Sequence, residues 1–175
     1  DRAKKSEQQL TTRASFDALT ELYNRETIES QIDNEITLSE ARKSEMAVLF
    51  IDVDDFKHYN DQYSHATGDQ VLKFVARTIK GTVNEFGFAG RYGGDEFIAC
   101  IRNAEINDPT RAAQDIISKL EEGFECDGVH LTVSVSIGIS MIKDDYNTRV
   151  EYIIGKADDA MYSVKKNGKS NYAFI

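Results

Sequence analysis

The sequence predicts an α+β fold, a mainly antiparallel central sheet flanked by helices. Three observations predict it. The run Ala47-Val48-Leu49-Phe50-Ile51 is apolar without interruption, as in a short strand covered on both faces. Segments with apolar residues at helical spacing precede and follow it. A diglycine, Gly93-Gly94, separates two further strand-like runs and reads as a hairpin.

Each element follows in order. Residues 1–16 are polar, free of Gly and Pro, and punctuated by Leu10, Ala14 and Phe16, which suits the end of a helical stalk; residues 17–175 form the domain proper. Asn24 is an N-cap for a helix whose apolar face is Ile28, Ile32 and Ile36 and which ends near Lys43. The central strand stops at Asp52-Val53-Asp54-Asp55, and Asp54-Asp55-Phe56-Lys57 opens a helix. Val71, Leu72, Val75 and Ile79 mark another helix, beginning near Gly68. Phe86 to Tyr92 and Phe97 to Ile101 are the two hairpin strands. Asp108-Pro109 combines an N-cap with proline at the first helical position, ahead of Ala112, Ala113, Ile116, Ile117 and Leu120. Leu131 to Met141 alternates strictly and predicts one long strand. The last helix, Val150 to Val164, stops at Asn167-Gly168, and Tyr172 to Ile175 closes the sheet. With a single proline, no repeat and no low-complexity tract, nothing marks a second domain. This order gives an α+β sandwich that resembles a ferredoxin-like palm.

Charge and composition narrow the function. The 21 basic and 30 acidic side chains leave a net charge of −9, which argues against a protein that grips nucleic-acid phosphates through a basic surface. No run approaches the roughly 18 apolar residues of a spanning helix, and no apolar stretch follows the charged start, so neither a membrane span nor a signal peptide is expected within this chain. Cys100 and Cys126 lie in strand-like runs without metal-ligand spacing, as small buried hydrophobes in a reducing compartment, the cytoplasm. Residue 1 is not Met, so the chain is expected to be part of a longer protein.

The chemistry gathers around acidic residues. If the hairpin lies beside the central strand, Asp52 at the strand end meets Asp95 and Glu96 after the glycines. Three converging carboxylates repel one another and call for a cation. Hard oxygen ligands with no His or Cys nearby describe magnesium better than zinc or calcium. Helix N-capping by the Asp-Asp pair at the strand end and solubility of the hairpin are the bland alternative, but capping explains only one end of the arrangement. Gly93 and Gly94 permit positive φ and let a bulky ligand approach the backbone, leaving room for a nucleotide. The free N–H groups after Asp55, with the Lys57 ammonium, suit phosphate oxygens. Lys165 and Lys169 either complete that grip or merely satisfy the end of the last helix. Asn60 and Asp69 follow. A carboxylate accepts two parallel hydrogen bonds from the guanine edge, which adenine cannot offer, so Asp69 selects guanine unless it only complements a first helical turn. His65 is either a substrate contact or a hydrogen-bond anchor.

The segment Arg91-Tyr92-Gly93-Gly94-Asp95-Glu96-Phe97 resembles the signature of the GGDEF-domain diguanylate cyclases. Asp17-Ala18-Leu19-Thr20-Glu21-Leu22-Tyr23-Asn24-Arg25 resembles the opening motif of that family, and Asp52-Val53-Asp54-Asp55-Phe56-Lys57 its metal and phosphate loop. Asn60-Asp61 through Gly68-Asp69 resembles the guanine-binding segment, and Ala157-Asp158 through Met161-Tyr162, Lys165 and Gly168-Lys169 the C-terminal motif. The resemblance runs from Asp17 to the last residue. It implies a nucleotidyl cyclase-like palm that condenses two GTP molecules into cyclic di-GMP and two pyrophosphates, with two magnesium or manganese ions per site. Carried over, Asp52, the Val53 carbonyl and Asp95 hold metal and Glu96 supports the second ion. Asp95 accepts the 3′-hydroxyl proton, Asn60 and Asp69 read guanine, with His65 a further contact, and Gly93 and Gly94 leave space for the nucleotide. Backbone groups of Phe56 and Lys57 and the side chains of Lys165 and Lys169 hold the triphosphate. Family members act as homodimers, half of the active site from each subunit, beneath a sensory or regulatory region. A cytoplasmic output domain of a membrane-anchored sensor is one such arrangement.

Some positions depart from the pattern. Glu21 and Ser64 stand where glycine is common, and Lys169 replaces the usual arginine, losing its bidentate fork. The Arg-x-x-Asp product-inhibition site of many relatives is absent, its positions being Asn84 and Gly87. Two other classes compete with an active cyclase. A catalytically idle GTP-binding or dimerisation module would show damage at Asp52, Asp95 or Glu96, and none is present. A palm-type polymerase or nuclease is disfavoured by the acidic balance and by Asp69, which also disfavours ATP as a substrate. No nucleic-acid partner is expected.

Overall fold

The strand predicted to be central does stand at the centre of the sheet. The computed structural model describes residues 1–175 apart from the side chains of Thr12 and Arg13. Strand β1 (Met46–Val53) pairs antiparallel on one side with β3 (Glu96–Arg102) and on the other with β6 (Val135–Ile142). Outside them lie β2 (Gly87–Arg91), antiparallel to β3, and β7 (Tyr172–Phe174), parallel to β6, giving the order β2-β3-β1-β6-β7. The sheet is thus mainly antiparallel, as expected.

Alternation along β1 divides the core in two. Ala47, Leu49, Ile51 and Val53 pack on the face covered by α4 (His65–Val83) and α5 (Pro109–Glu122). Met46, Val48 and Phe50 face α2 (Arg25–Arg42) and α6 (Val150–Lys166). Both faces are apolar, which is why β1 reads as a continuous apolar run instead of an alternating one. At Gly138 in β6, α6 comes so close that a Cβ would stand 1.9 Å from the Ala157 carbonyl oxygen. A residue with a side chain there would push α6 away from the strand.

N-terminal to the sheet, α1 (Arg2–Ser15) is the helix expected of residues 1–16. Residues 16–24 then run along the outer edge of β2, where the Tyr23 N–H donates to the Ala89 carbonyl and the Arg91 N–H to the Tyr23 carbonyl. Phe16 and Tyr23 stack with centroids 5.2 Å apart. Among the described residues no helix is long and apolar enough to cross a membrane. Cys100 and Cys126 are buried free thiols, as the sequence suggests, and burial pushes the Cys100 pKa upward.

Two expectations fail locally. Leu131 to Met141 is not one strand. Strands β4 (Phe124–Cys126) and β5 (Val129–Leu131) form a separate hairpin, and the chain leaves the ladder before β6 begins. The hairpin turns at Asp127-Gly128, with φ of 49° and 78°, the two positive values that a two-residue turn of this twist requires. Helix α4 starts at His65 and not near Gly68, because the exposed Ser64 side chain caps it by accepting from the Thr67 N–H at 3.1 Å.

Candidate active site

The acidic residues meet where β1 leaves the sheet. Register sets Asp52 directly opposite Glu96 on β3, and the Val53 N–H donates to the Asp95 carbonyl at 3.1 Å. Asp52 continues the face of Met46, Val48 and Phe50, so it looks toward α6; Glu96 shares that face with Ile98 and Cys100. Asp95, one residue earlier, lines a cleft of about 350 Å³ on the side of α3 (Phe56–Gln62) and α4.

Electrostatics follow from this crowding. Burial, then the neighbouring Asp95 and Glu96 carboxylates, push the Asp52 pKa up to about 7 against the opposing pull of Lys165. Burial, then Asp158 on α6 and then Asp95, raise Glu96. The Lys165 ammonium stands 3.3 Å from Asp52 Oδ1, 3.4 Å from Asp54 Oδ1 and 3.4 Å from the Val53 carbonyl oxygen. Among the described residues no three acidic, histidine or cysteine side chains converge into a closed ligand cage. The sequence places the carboxylates together but does not show that a lysine from the far end of the chain shares their space.

The donor set nonetheless fits a hard divalent cation. Asp52 Oδ1 is buried and accepts no well-formed hydrogen bond, the Val53 carbonyl has only the long contact to Lys165, and Asp95 and Glu96 flank them. Oxygen atoms alone, from carboxylates and a carbonyl, suit magnesium or manganese.

The opposite wall of the cleft carries the other candidates. Phe56, Lys57, Asn60, His65, Asp69, Arg91, Gly94 and Asp95 all line it. Asp55, the residue before α3, has φ 52° and caps nothing with its side chain, so the first turn of that helix keeps its N–H groups clear of a side-chain acceptor. Asn60 reaches the cleft past Gly68; a Cβ at Gly68 would lie 1.9 Å from Asn60 Oδ1. Because α4 starts at His65, Asp69 lies beyond its first turn, and complementing that turn does not account for it. Lys169 pairs with Asp55 at 2.8 Å, a contact that lowers the Asp55 pKa and raises that of Lys169.

The diglycine acts differently from expectation. Neither Gly93 nor Gly94 adopts a positive φ. A Cβ at Gly93 would meet Glu96 Oε1 at 2.1 Å, whereas one at Gly94 would meet nothing within 4 Å, so one glycine admits the Glu96 side chain and the other leaves the cleft open.

Three residues escaped the sequence reading. Arg91 donates through Nε to the carbonyls of Gly93 and Gly94, both at 3.2 Å, and through a terminal nitrogen to Gly94 at 2.7 Å, while its other terminal nitrogen pairs with Asp17 at 3.3 Å. Burial alone would raise Asp17, but hydrogen bonds from the Thr20 hydroxyl and N–H, with Arg91, bring it below the usual carboxylate value. The third is Asp54, buried beneath the site. Arg91 and Asp17 lie inside quoted motifs, which was the available signal; nothing local marks Asp54 apart from Asp52 and Asp55.

Comparison with known proteins shows the family. A family model described as diguanylate cyclase, GGDEF domain, matches residues 14–171. The chain belongs to the GGDEF family. Among curated relatives, this GGDEF domain is 34% identical over 171 residues to the bifunctional diguanylate cyclase/cyclic di-GMP phosphodiesterase MucR of Pseudomonas aeruginosa, covering 98% of this chain and 25% of that protein. It is 35% identical over 159 residues to diguanylate cyclase DosC of Escherichia coli, covering 89% of this chain and 34% of that protein. The solved GGDEF domain of PA1120 (TpbB or YfiN) from Pseudomonas aeruginosa superposes with a TM-score of 0.84 at 33% identity, covering 91% of this chain and 93% of that one. The GGDEF domain spans only a quarter to a third of the length of these two curated relatives.

Proposed function

We propose that the chain is a diguanylate cyclase that condenses two GTP molecules into cyclic di-GMP with release of two pyrophosphates. The observation that carries this reading is the buried Asp52 Oδ1, which meets only the Lys165 ammonium and lies opposite Glu96, next to an Asp95 that lines a cleft shared with Asn60 and Asp69. Relatives named diguanylate cyclase support the same reading.

The residues divide the work. Asp69 accepts from the guanine ring N–H and exocyclic amine while Asn60 holds the same base edge, with His65 beside them. N–H groups of Phe56 and Lys57, with the ammonium groups of Lys57, Lys165 and Lys169, hold the triphosphate. Asp52, the Val53 carbonyl, Asp95 and Glu96 would hold two magnesium or manganese ions, which neutralise charge developing on the phosphates. Gly94 leaves the nucleotide access to the β2–β3 turn. Asp95 takes the proton of the attacking 3′-hydroxyl; that oxygen bonds to the α-phosphorus of the other GTP as its bond to pyrophosphate breaks. A second attack in the opposite sense closes the ring. One cleft holds one GTP, so turnover needs two chains face to face, and residues 1–16 act as the end of a stalk that sets this encounter beneath an upstream regulatory region.

Incubation with GTP and magnesium followed by mass analysis of products tests the proposal. Cyclic di-GMP is the expected product, Asp95→Ala is expected to abolish it without unfolding the chain, and activity per chain falls on dilution through dimer dissociation. An intact fold that binds GTP but yields no product at any protein concentration refutes it in favour of an idle binding module.

A further inference from the structure

Asp54 is 3% exposed, yet it is a carboxylate, and its partners come from three separate parts of the chain. The Ser136 hydroxyl on β6 donates to Oδ1 at 2.7 Å, the Ser134 hydroxyl ahead of β6 donates to Oδ2 at 2.5 Å, and the Ser170 N–H donates to Oδ2 at 3.1 Å. The Lys165 ammonium on α6 completes the set, 3.4 Å from Oδ1. Burying a charge costs several kcal/mol unless it is fully partnered, so a carboxylate here is a poor choice if only packing were at stake.

What these bonds hold is informative. The loop after α6 places two consecutive residues with side chains, Lys169 and Ser170, at φ 61° and 46°, a left-handed conformation that is unfavourable for both. The bond from the Ser170 N–H to Asp54 ties that loop down, and the same loop aims Lys169 at Asp55, beside the first turn of α3. Asp54 also gives Lys165 an anchor that does not depend on Asp52. One buried group therefore governs both distal ammonium groups of the site.

We propose that Asp54 is a positioning residue for triphosphate binding, setting Lys165 through a direct ion pair and Lys169 through the Ser170 N–H. The inference rests on the reading that the cleft takes GTP, and it predicts which part of the nucleotide is affected: the phosphate tail and not the guanine.

The test measures affinity by calorimetry, in magnesium, for an unreactive α,β-methylene analogue of GTP and for GMP. Asp54→Asn keeps size and shape but removes the charge that holds Lys165. It is expected to weaken the triphosphate analogue by about tenfold while changing GMP by less than about threefold. In a Lys165→Met background the same substitution is expected to cost less than about threefold, because much of its effect passes through that lysine. A purely structural role would instead lower thermal stability and weaken both ligands alike, and equal weakening or full additivity with Lys165→Met overturns the proposal. Should Asp54→Asn fail to fold, Ser134→Ala removes one brace only; a loss of about threefold confined to the triphosphate analogue supports the proposal and no change overturns it. A wild-type chain that does not bind the analogue overturns the GTP reading itself, whereas normal wild-type binding with an unaltered ratio in Asp54→Asn overturns only the role of Asp54.

Discussion

Arg91→Lys isolates geometry from charge at the signature turn. The guanidinium makes three hydrogen bonds to the carbonyls of Gly93 and Gly94 while paired with Asp17, and the two side chains are 19% and 23% exposed. A lysine ammonium keeps the charge but is a point donor without the planar fork, so it can serve either the turn or Asp17 well. Losing two partly buried hydrogen bonds of about 1 kcal/mol each gives a destabilisation of about 2 kcal/mol. For a chain of this length that lowers the melting temperature by about 4–8 °C. The turn carries Asp95, and misplacement of a reacting group by about 1 Å can cost a hundredfold, so kcat is expected to fall at least tenfold while GTP affinity changes by less than about threefold. Thermal unfolding by circular dichroism and steady-state cyclic di-GMP formation check the two halves. A variant whose melting temperature and kcat both match wild type would show that the Arg91 fork does not hold the turn.

Three further outcomes follow from single contacts. Asp69→Ala removes the proposed bidentate acceptor for guanine and is expected to cost about 1–3 kcal/mol of GTP-over-ATP preference, measured as the ratio of kcat/KM; an unchanged ratio refutes the assignment. Asp17 has a folded-state pKa below its ordinary value of 3.8, so its stabilisation is present above that value and is lost as the pH falls through the folded pKa. Asp17→Asn should therefore melt below wild type at neutral pH, with the gap closing as the pH drops below 3.8, and a gap that persists in acid contradicts the ion pair as its source. Cyclic di-GMP added during turnover is expected not to inhibit through the surface of Asn84 and Gly87, and noncompetitive inhibition relieved by mutating neighbouring Lys80 would contradict this. Gly87→Asp cannot restore the missing site cleanly, because its Cβ would lie 2.1 Å from the Cys100 carbonyl oxygen.

Much of this molecule was legible because its central elements carry strong periodic signals. The β1 run is apolar since both sheet faces are covered, and the α5 and α6 patterns match the residues those helices bury. The strand that failed, Leu131 to Met141, failed because alternation survives a break in pairing: Leu131 and Val133 are buried as β-strand residues would be, yet the ladder is interrupted so that the Ser134 carbonyl accepts from the Asp54 N–H. The Asp127-Gly128 pair between two short apolar runs was the missed signal for the β4–β5 hairpin. Glu21 at φ 61° explains why glycine suits that position, at a cost of about 1–2 kcal/mol for a residue with a side chain. The Lys165 contacts and the Asp54 network were not legible at all, since they join residues 80 or more positions apart and depend on how α6 lies against β1.

For a chain of net charge −9 to accept a triphosphate, as proposed, it must solve a problem of charge placement. Here the two distal lysines of the site are already committed: Lys165 to Asp52 and Asp54, Lys169 to Asp55. Turning either lysine toward a phosphate without replacement would leave carboxylates facing one another, and the upward shift of Asp52 to about 7 shows how poorly that corner tolerates further negative charge. Lys165 can exchange Asp52 for a phosphate oxygen at low cost only when Asp52 gains another positive partner at the same time. Asp54, bonded to two serine hydroxyls and a backbone N–H, keeps its own partners through that exchange and gives the lysine a fixed pivot. If the cleft takes a nucleotide as proposed, the pairing of the site with itself would make nucleotide and divalent cation depend on each other, and neither is expected to bind tightly alone.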